Sequence, residues 1–183
     1  PVEVGGGIRT IEKAKELISL GVDYLIVGTA AIKDPNIITA ISRKFGSQCM
    51  VLSIQAKWQG SYWEAYYDNG REHSNLDVVE WAKKGEKLGA GEIILTSVDK
   101  EGTTKGFDVE LVKAVTDSVQ IPVIASGGMG EINDVDAVIK DGHADAIAMA
   151  HVLHYNNLTI DNVRNHCANN NIPVRVYTLT END

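Results

Sequence analysis

The stretch GAGEIILTSVDKEGTTKGFD, residues 89–108, decides how the rest of the chain is read. After Glu92 it runs through the apolar Ile93, Ile94 and Leu95, then turns polar at Thr96, Ser97, Asp99, Lys100, Glu101 and Thr103. An unbroken apolar run marks a strand buried on both faces, as in a parallel sheet covered by helices. Such sheets bind ligands beyond the carboxyl ends of their strands. A polar burst at that position is either a solvated loop or part of an active site, and spacing alone leaves both open.

Working outward, the same order recurs. Val2–Val4 lead into Gly5-Gly6-Gly7, Tyr24–Val27 into Gly28-Thr29-Ala30, and Met50–Ile54 into Gln55-Ala56-Lys57. Ile121–Ala125 lead into Ser126-Gly127-Gly128-Met129-Gly130, and Ala146–Ala150 end at His151. Glycine turns after strands let backbone N–H groups approach an anion closely. Helical patterns fill the gaps. Thr10 is placed to cap a helix burying Ile11, Ala14, Leu17 and Ile18, and Asp34-Pro35 to open one burying Ile37, Ile38, Ile41 and Phe45. Further helices are expected over 76–88, over 109–119 with Leu111, Val112 and Val115 inside, up to Lys140, and over 159–168.

One segment breaks the alternation. Residues 58–71 hold Trp58, Tyr62, Trp63, Tyr66 and Tyr67 with an Asp68-Asn69-Gly70 turn, which predicts a two-stranded flap beside the loop after the third strand. Packing of the flap is the favoured role of its aromatics over covering a ligand.

Six strands alternating with helices define a parallel α/β fold. Because several strand ends carry glycine turns, a (β/α)8 TIM-type barrel fits better than an open sheet with one switch point. Six βα units fall two short of closure. The missing pair is expected at the front, since the chain enters a strand straight after Pro1. Residues 1–177 are thus expected to form one incomplete barrel domain and 178–183 a frayed tail, with 172–177 apolar enough to pack. Two open strand edges would invite a preceding segment or strands of another chain.

Bulk composition narrows the partners. Asp and Glu outnumber Lys and Arg by 25 to 17, and a net charge of −8 argues against nucleic acid or an anionic membrane. No apolar run is long enough for a membrane span and no signal peptide opens the chain. Cys49 and Cys167 have no pairing spacing, as expected for a reducing cytoplasm. His73, His143, His151, His154 and His166 form no ligand motif, so neither a metal nor another cofactor is expected.

The sequence resembles the cyclase subunit of imidazole glycerol phosphate synthase. The likeness rests on VGGGIRT at 4–10, GTAAIKDP at 28–35, the 89–108 stretch and ASGGMGEINDV at 125–135, with FGSQ at 45–48 and VRVY at 174–177 in support. It implies an eight-stranded barrel with two phosphate sites, one using Gly7, Gly28 and Thr29, the other Ser126, Gly127, Gly128, Ala150 and His151. It also implies a heterodimer with a glutaminase on the opposite face, through Asp23, Tyr24, Gln48 and Glu92. The substrate would carry two phosphates, take up ammonia and undergo ring closure with cleavage, in histidine biosynthesis.

Four positions depart from the family pattern. Gln55 stands where one catalytic Asp is expected, Glu101 replaces an Asp after the fourth strand, where Thr96 and Asp99 are the further catalytic candidates, His151 replaces a Ser, and Tyr24 replaces a gate Lys. An amide holds a substrate but does not exchange a proton near neutrality. Two other readings follow: a divergent paralogue serving nucleotide-sugar amidation in surface polysaccharide (lipopolysaccharide) synthesis, and a non-catalytic binding barrel or fragment.

Overall fold

The computed structural model describes residues 1–174. Its order is β1 (Glu3–Gly5), α1 (Ile11–Ser19), β2 (Tyr24–Val27), α2 (Thr29–Lys33), α3 (Asn36–Phe45), β3 (Met50–Trp58), β4 (Trp63–Tyr67) and β5 (Glu72–Asp77). There follow α4 (Val78–Leu88), β6 (Glu92–Ser97), α5 (Val109–Thr116), β7 (Val123–Ser126), α6 (Asp134–Asp136), β8 (Ala146–Ala148), α7 (His151–His154) and α8 (Ile160–Asn169). The parallel strands stand in the order β1-β2-β3-β6-β7-β8, and among the described residues no pairing joins β8 to β1. The architecture is therefore the expected α/β one, a curled parallel sheet that makes up part of a TIM barrel.

Strand alternation sets the two faces. Leu25, Val27, Leu52, Ile54, Ile93, Leu95, Val123 and Ala125 are buried at 0–1% exposure and pack under the helices. Their neighbours Ile26, Ser53, Gln55, Ile94, Thr96 and Ser126 are half-buried on the other, concave face. The helices seal the outer face with the residues that periodicity selects: Ala14 of α1, Ile37, Ile38 and Ile41 of α3, and Leu111, Val112 and Val115 of α5. The Thr10 side chain accepts from the Lys13 N–H, as its capping role requires.

Several boundaries differ from the sequence expectation. The flap is three-stranded: β3 runs on to Trp58, pairs antiparallel with β4, and β4 pairs with β5. Gln59 and Tyr62 close the first hairpin by backbone bonding, while Asp68-Asn69-Gly70, all at positive φ, turn the second. The sequence 72–77 lacks an apolar alternation, so β5 is invisible to pattern, and α4 starts at Val78 under an Asp77 cap. A short helix, α2, precedes α3, although Asp34 Oδ1 still accepts from the Asn36 N–H at 3.1 Å. The last parallel strand stops at Ala148, and His151 opens α7 instead of ending a strand. After α6 the chain continues as a π turn, Ala137–Asp141. Ile172 is buried, whereas 175–177 and the expected tail 178–183 lie outside the described residues.

Candidate functional site at the carboxyl ends of the strands

Register aligns the residues of the mouth. Gln55 pairs with Thr96, Thr96 with Ser126, and Ser126 with Ala148, so one row crosses β3, β6, β7 and β8 at their carboxyl ends. The row sits on the concave face because each member lies an even number of residues beyond Val51, Glu92, Ile124 or Ala146, which share that face.

Two cavities flank it. One, of about 330 Å³, is lined by Gly7, Arg9, Gly28, Thr29, Gln55 and Tyr66, among others. Among the described residues, Arg9 is its one cationic lining side chain. Thr29 Oγ1 accepts from the Asp68 N–H at 3.1 Å, tying the flap turn to the start of α2. The other, of about 480 Å³, is lined by Glu101, Ser126, Gly127, Gly128, Ala150 and His151, with His154 and Tyr155 beyond them. Both expected phosphate sets are therefore each gathered in one place. Gly28 adjoins Ser53 of β3, since a Cβ there would lie 3.3 Å from Ser53 Cβ. Three strand spacings of about 4.8 Å then separate β2 from β7, or about 14 Å.

The remaining candidates divide. Glu101 faces the larger cavity and is exposed. Thr96 lies in the central row. Asp99 is directed elsewhere: its Oδ2 accepts from the Trp58 N–H at 2.8 Å, beside a third cavity of about 550 Å³ lined by Trp58, Trp63 and Phe107. Ser97 is buried, and its hydroxyl donates to Asp108 Oδ2 at 3.1 Å, while Asp108 Oδ1 caps α5.

At the opposite end of the sheet, Tyr24 and Glu92 begin β2 and β6, and Asp23 Oδ2 accepts from the Val2 N–H at 2.8 Å. Gln48 lies in the turn before β3. Burial raises the Glu92 carboxyl above the ordinary range, and the carboxylates of Glu3 and Asp145 push it further. Among the described residues, no three of His, Cys, Asp and Glu are grouped as metal ligands, and no helix is long and apolar enough to cross a membrane.

The flap aromatics split between the two roles. Trp58 and Trp63 pack on one another, with ring centroids 4.6 Å apart, whereas Tyr66 and Tyr67 line the smaller cavity. The cavity role of Tyr66 follows from its cross-strand pairing with Gln55, a register that sequence does not reveal.

Residues 1–159 match the family described as "Histidine biosynthesis protein". The chain belongs to that family. It is 48% identical over 176 residues to imidazole glycerol phosphate synthase subunit HisF of Pyrococcus furiosus, covering 96% of this chain and 70% of that one. To the protein of the same name from Legionella pneumophila it is 58% identical over 135 residues, 73% of this chain and 64% of the relative. The Pyrobaculum aerophilum subunit is 47% identical over 176 residues, 96% and 69% of the two chains. The family expected from the four motifs is thus borne out. Neither the paralogue nor the non-catalytic reading is needed to account for it.

Proposed function

We propose that this chain is a cyclase subunit of the imidazole glycerol phosphate synthase type, acting in histidine biosynthesis in the cytoplasm. It takes ammonia from a glutaminase partner and adds it to a substrate with a phosphate at each end. The observation that supports this most directly is the pair of glycine-built cavities on either side of the Gln55–Thr96–Ser126 row. An elongated bisphosphate anchored at both ends lies across that row, with its reacting atoms at the strand ends.

Anion binding falls to main-chain N–H groups of the turns at Gly7, Gly28-Thr29, Ser126-Gly127-Gly128 and Ala150-His151, with Arg9 beside the first. This arrangement needs no basic patch, which reconciles an anionic substrate with a net charge of −8. Thr96 holds the substrate by its hydroxyl. Glu101 exchanges protons at the phosphate end of the larger cavity. Gln55 orients the substrate through its amide without exchanging a proton. Asp99 supports the hairpin that walls the site. Asp23, Tyr24, Gln48 and Glu92 form the docking face, at the end of the sheet away from the mouth. Ammonia entering there reaches the row along the concave face past Ile26, Val51, Ile94 and Ile124.

Ammonium-dependent turnover of the phosphorylated ribulosyl substrate tests the reading. Turnover by the full chain, lowered about 10²-fold or more in Glu101→Gln, is expected. A chain that binds no bisphosphate and turns none over contradicts it.

A further inference from the structure

The flap carries a string of side chains outside both anion-binding sets. Tyr66 is the direct cross-strand partner of Gln55, is 5% exposed, and lines the smaller cavity. Its hydroxyl accepts from Gln59 Nε2 at 3.3 Å and lies 2.9 Å from Nδ1 and 3.0 Å from Nε2 of His73. His73 Nδ1 is in turn 3.0 Å from Glu64 Oε2. Glu64 is 3% exposed, and its Oε1 accepts from the Asn75 N–H at 2.7 Å. The Lys57 ammonium stands 5.4 Å over the Tyr66 ring.

One donor follows from the Glu64 contact. An ionised carboxylate only accepts, so His73 Nδ1 carries the hydrogen that Glu64 receives. That leaves Nε2 as the ring nitrogen without a hydrogen, 3.0 Å from the Tyr66 hydroxyl. Burial opposes ionisation of Glu64, but the bonds from His73 and Asn75 outweigh it and hold the carboxyl below its usual range. The His73 side chain is 61% exposed, which opens the middle of the string to water.

We infer that Tyr66, positioned by His73 and Glu64, is a proton-transfer residue of the cavity beside Gln55. The inference rests on the cyclase reading for its substrate, and it supplies the exchangeable proton that an amide at position 55 lacks. In the accepting direction, the phenol oxygen takes a proton from a substrate nitrogen or carbon while its own proton passes to His73 Nε2. Only O–H and N–H bonds change on the protein. The imidazolium is held by Glu64 until His73 releases a proton to water. The reverse sequence delivers a proton to the substrate. Lys57 above the ring offsets negative charge that develops on the phenol during transfer. A hairpin clamp would need only the Tyr66 ring, whereas the hydroxyl, imidazole and buried carboxylate together make a conducting string.

Two measurements on the full chain decide it. In steady-state turnover with free ammonium, Tyr66→Phe is expected to lower kcat about 10²-fold with KM little changed, and His73→Gln to lower kcat less. Wild-type kcat in Tyr66→Phe overturns the inference. In nitrogen-15 spectra of labelled histidine, His73 is expected as the Nδ1–H tautomer, with an Nε2 resonance that shifts in Tyr66→Phe. An Nε2–H tautomer, or a resonance indifferent to Tyr66→Phe, also overturns it. Wild type without turnover contradicts the cyclase reading and the use of the string in that reaction, while the spectra still decide whether the string exists.

Discussion

Gly106 and Gly128 meet through their backbones. The Gly106 N–H donates to the Gly128 carbonyl at 2.9 Å, and a Cβ built on Gly128 would lie only 2.2 Å from the Gly106 oxygen. This contact clasps the end of the loop after β6 to the turn after β7. Glu101 of that loop and Ser126 before that turn line the same cavity.

Gly128→Ala should therefore open the larger cavity. Gly128 sits at φ +106°, where a side chain is strained, and the Gly106 backbone must retreat to admit a methyl group. The expected cost is about 1–3 kcal/mol of stability, read from urea unfolding. Phosphate titration followed at His151 should weaken, while perturbations near Gly7 and Thr29 persist. Equal binding at both cavities in the variant would contradict the clasp.

Gln55→Asp is expected to raise ammonium-dependent turnover, because it places an exchangeable proton in the central row. The gain should also be coupled to Tyr66, its cross-strand partner. In the Asp background, Tyr66→Phe should cost much less than in wild type, since two neighbouring groups then offer the same proton. A double-mutant cycle in kcat measures this coupling. Strict additivity would mean that the two positions serve different steps.

How much of this was legible beforehand depended on range. The Ile93–Leu95 run and the glycine turns are local signals, and the parallel strands and the outer-face core followed from them, whereas the membership of the two cavity sets came from the family resemblance. Strand β5 was not legible, because Glu72-His73-Ser74-Asn75 forms a strand only by pairing with β4. The same gap hid the Glu64–Tyr66–His73 string, whose members meet through a bulged antiparallel register at Ala65/Tyr66. Asp99 was legible as a mouth residue by its place after β6, but the Trp58 N–H that occupies it comes from 41 positions earlier.

That bond gives Asp99 a testable role. Asp99→Ala should loosen the end of β3 and the Trp58–Trp63 pair, at a cost of about 0.5–1.5 kcal/mol, the range for one exposed hydrogen bond. A change in tryptophan fluorescence with kcat lowered only modestly is expected. A fall as large as that in Glu101→Gln would instead put Asp99 among the proton-exchanging groups.

Glu92 links the docking end of the sheet to pH. Its folded-state carboxyl is raised by burial first, then by Glu3 and Asp145. In the unfolded chain a Glu titrates near about 4.3. Between that value and the raised one, the folded state binds more protons, so stability falls as pH rises through the window and stays lower above it. Glu92→Gln removes this penalty. Its Tm should exceed that of wild type at pH 7, and the advantage should vanish below the unfolded value, where wild-type Glu92 is neutral in both states. Thermal melts at neutral and acid pH check the sign, and an equal gain at both would show that the effect is packing and not charge.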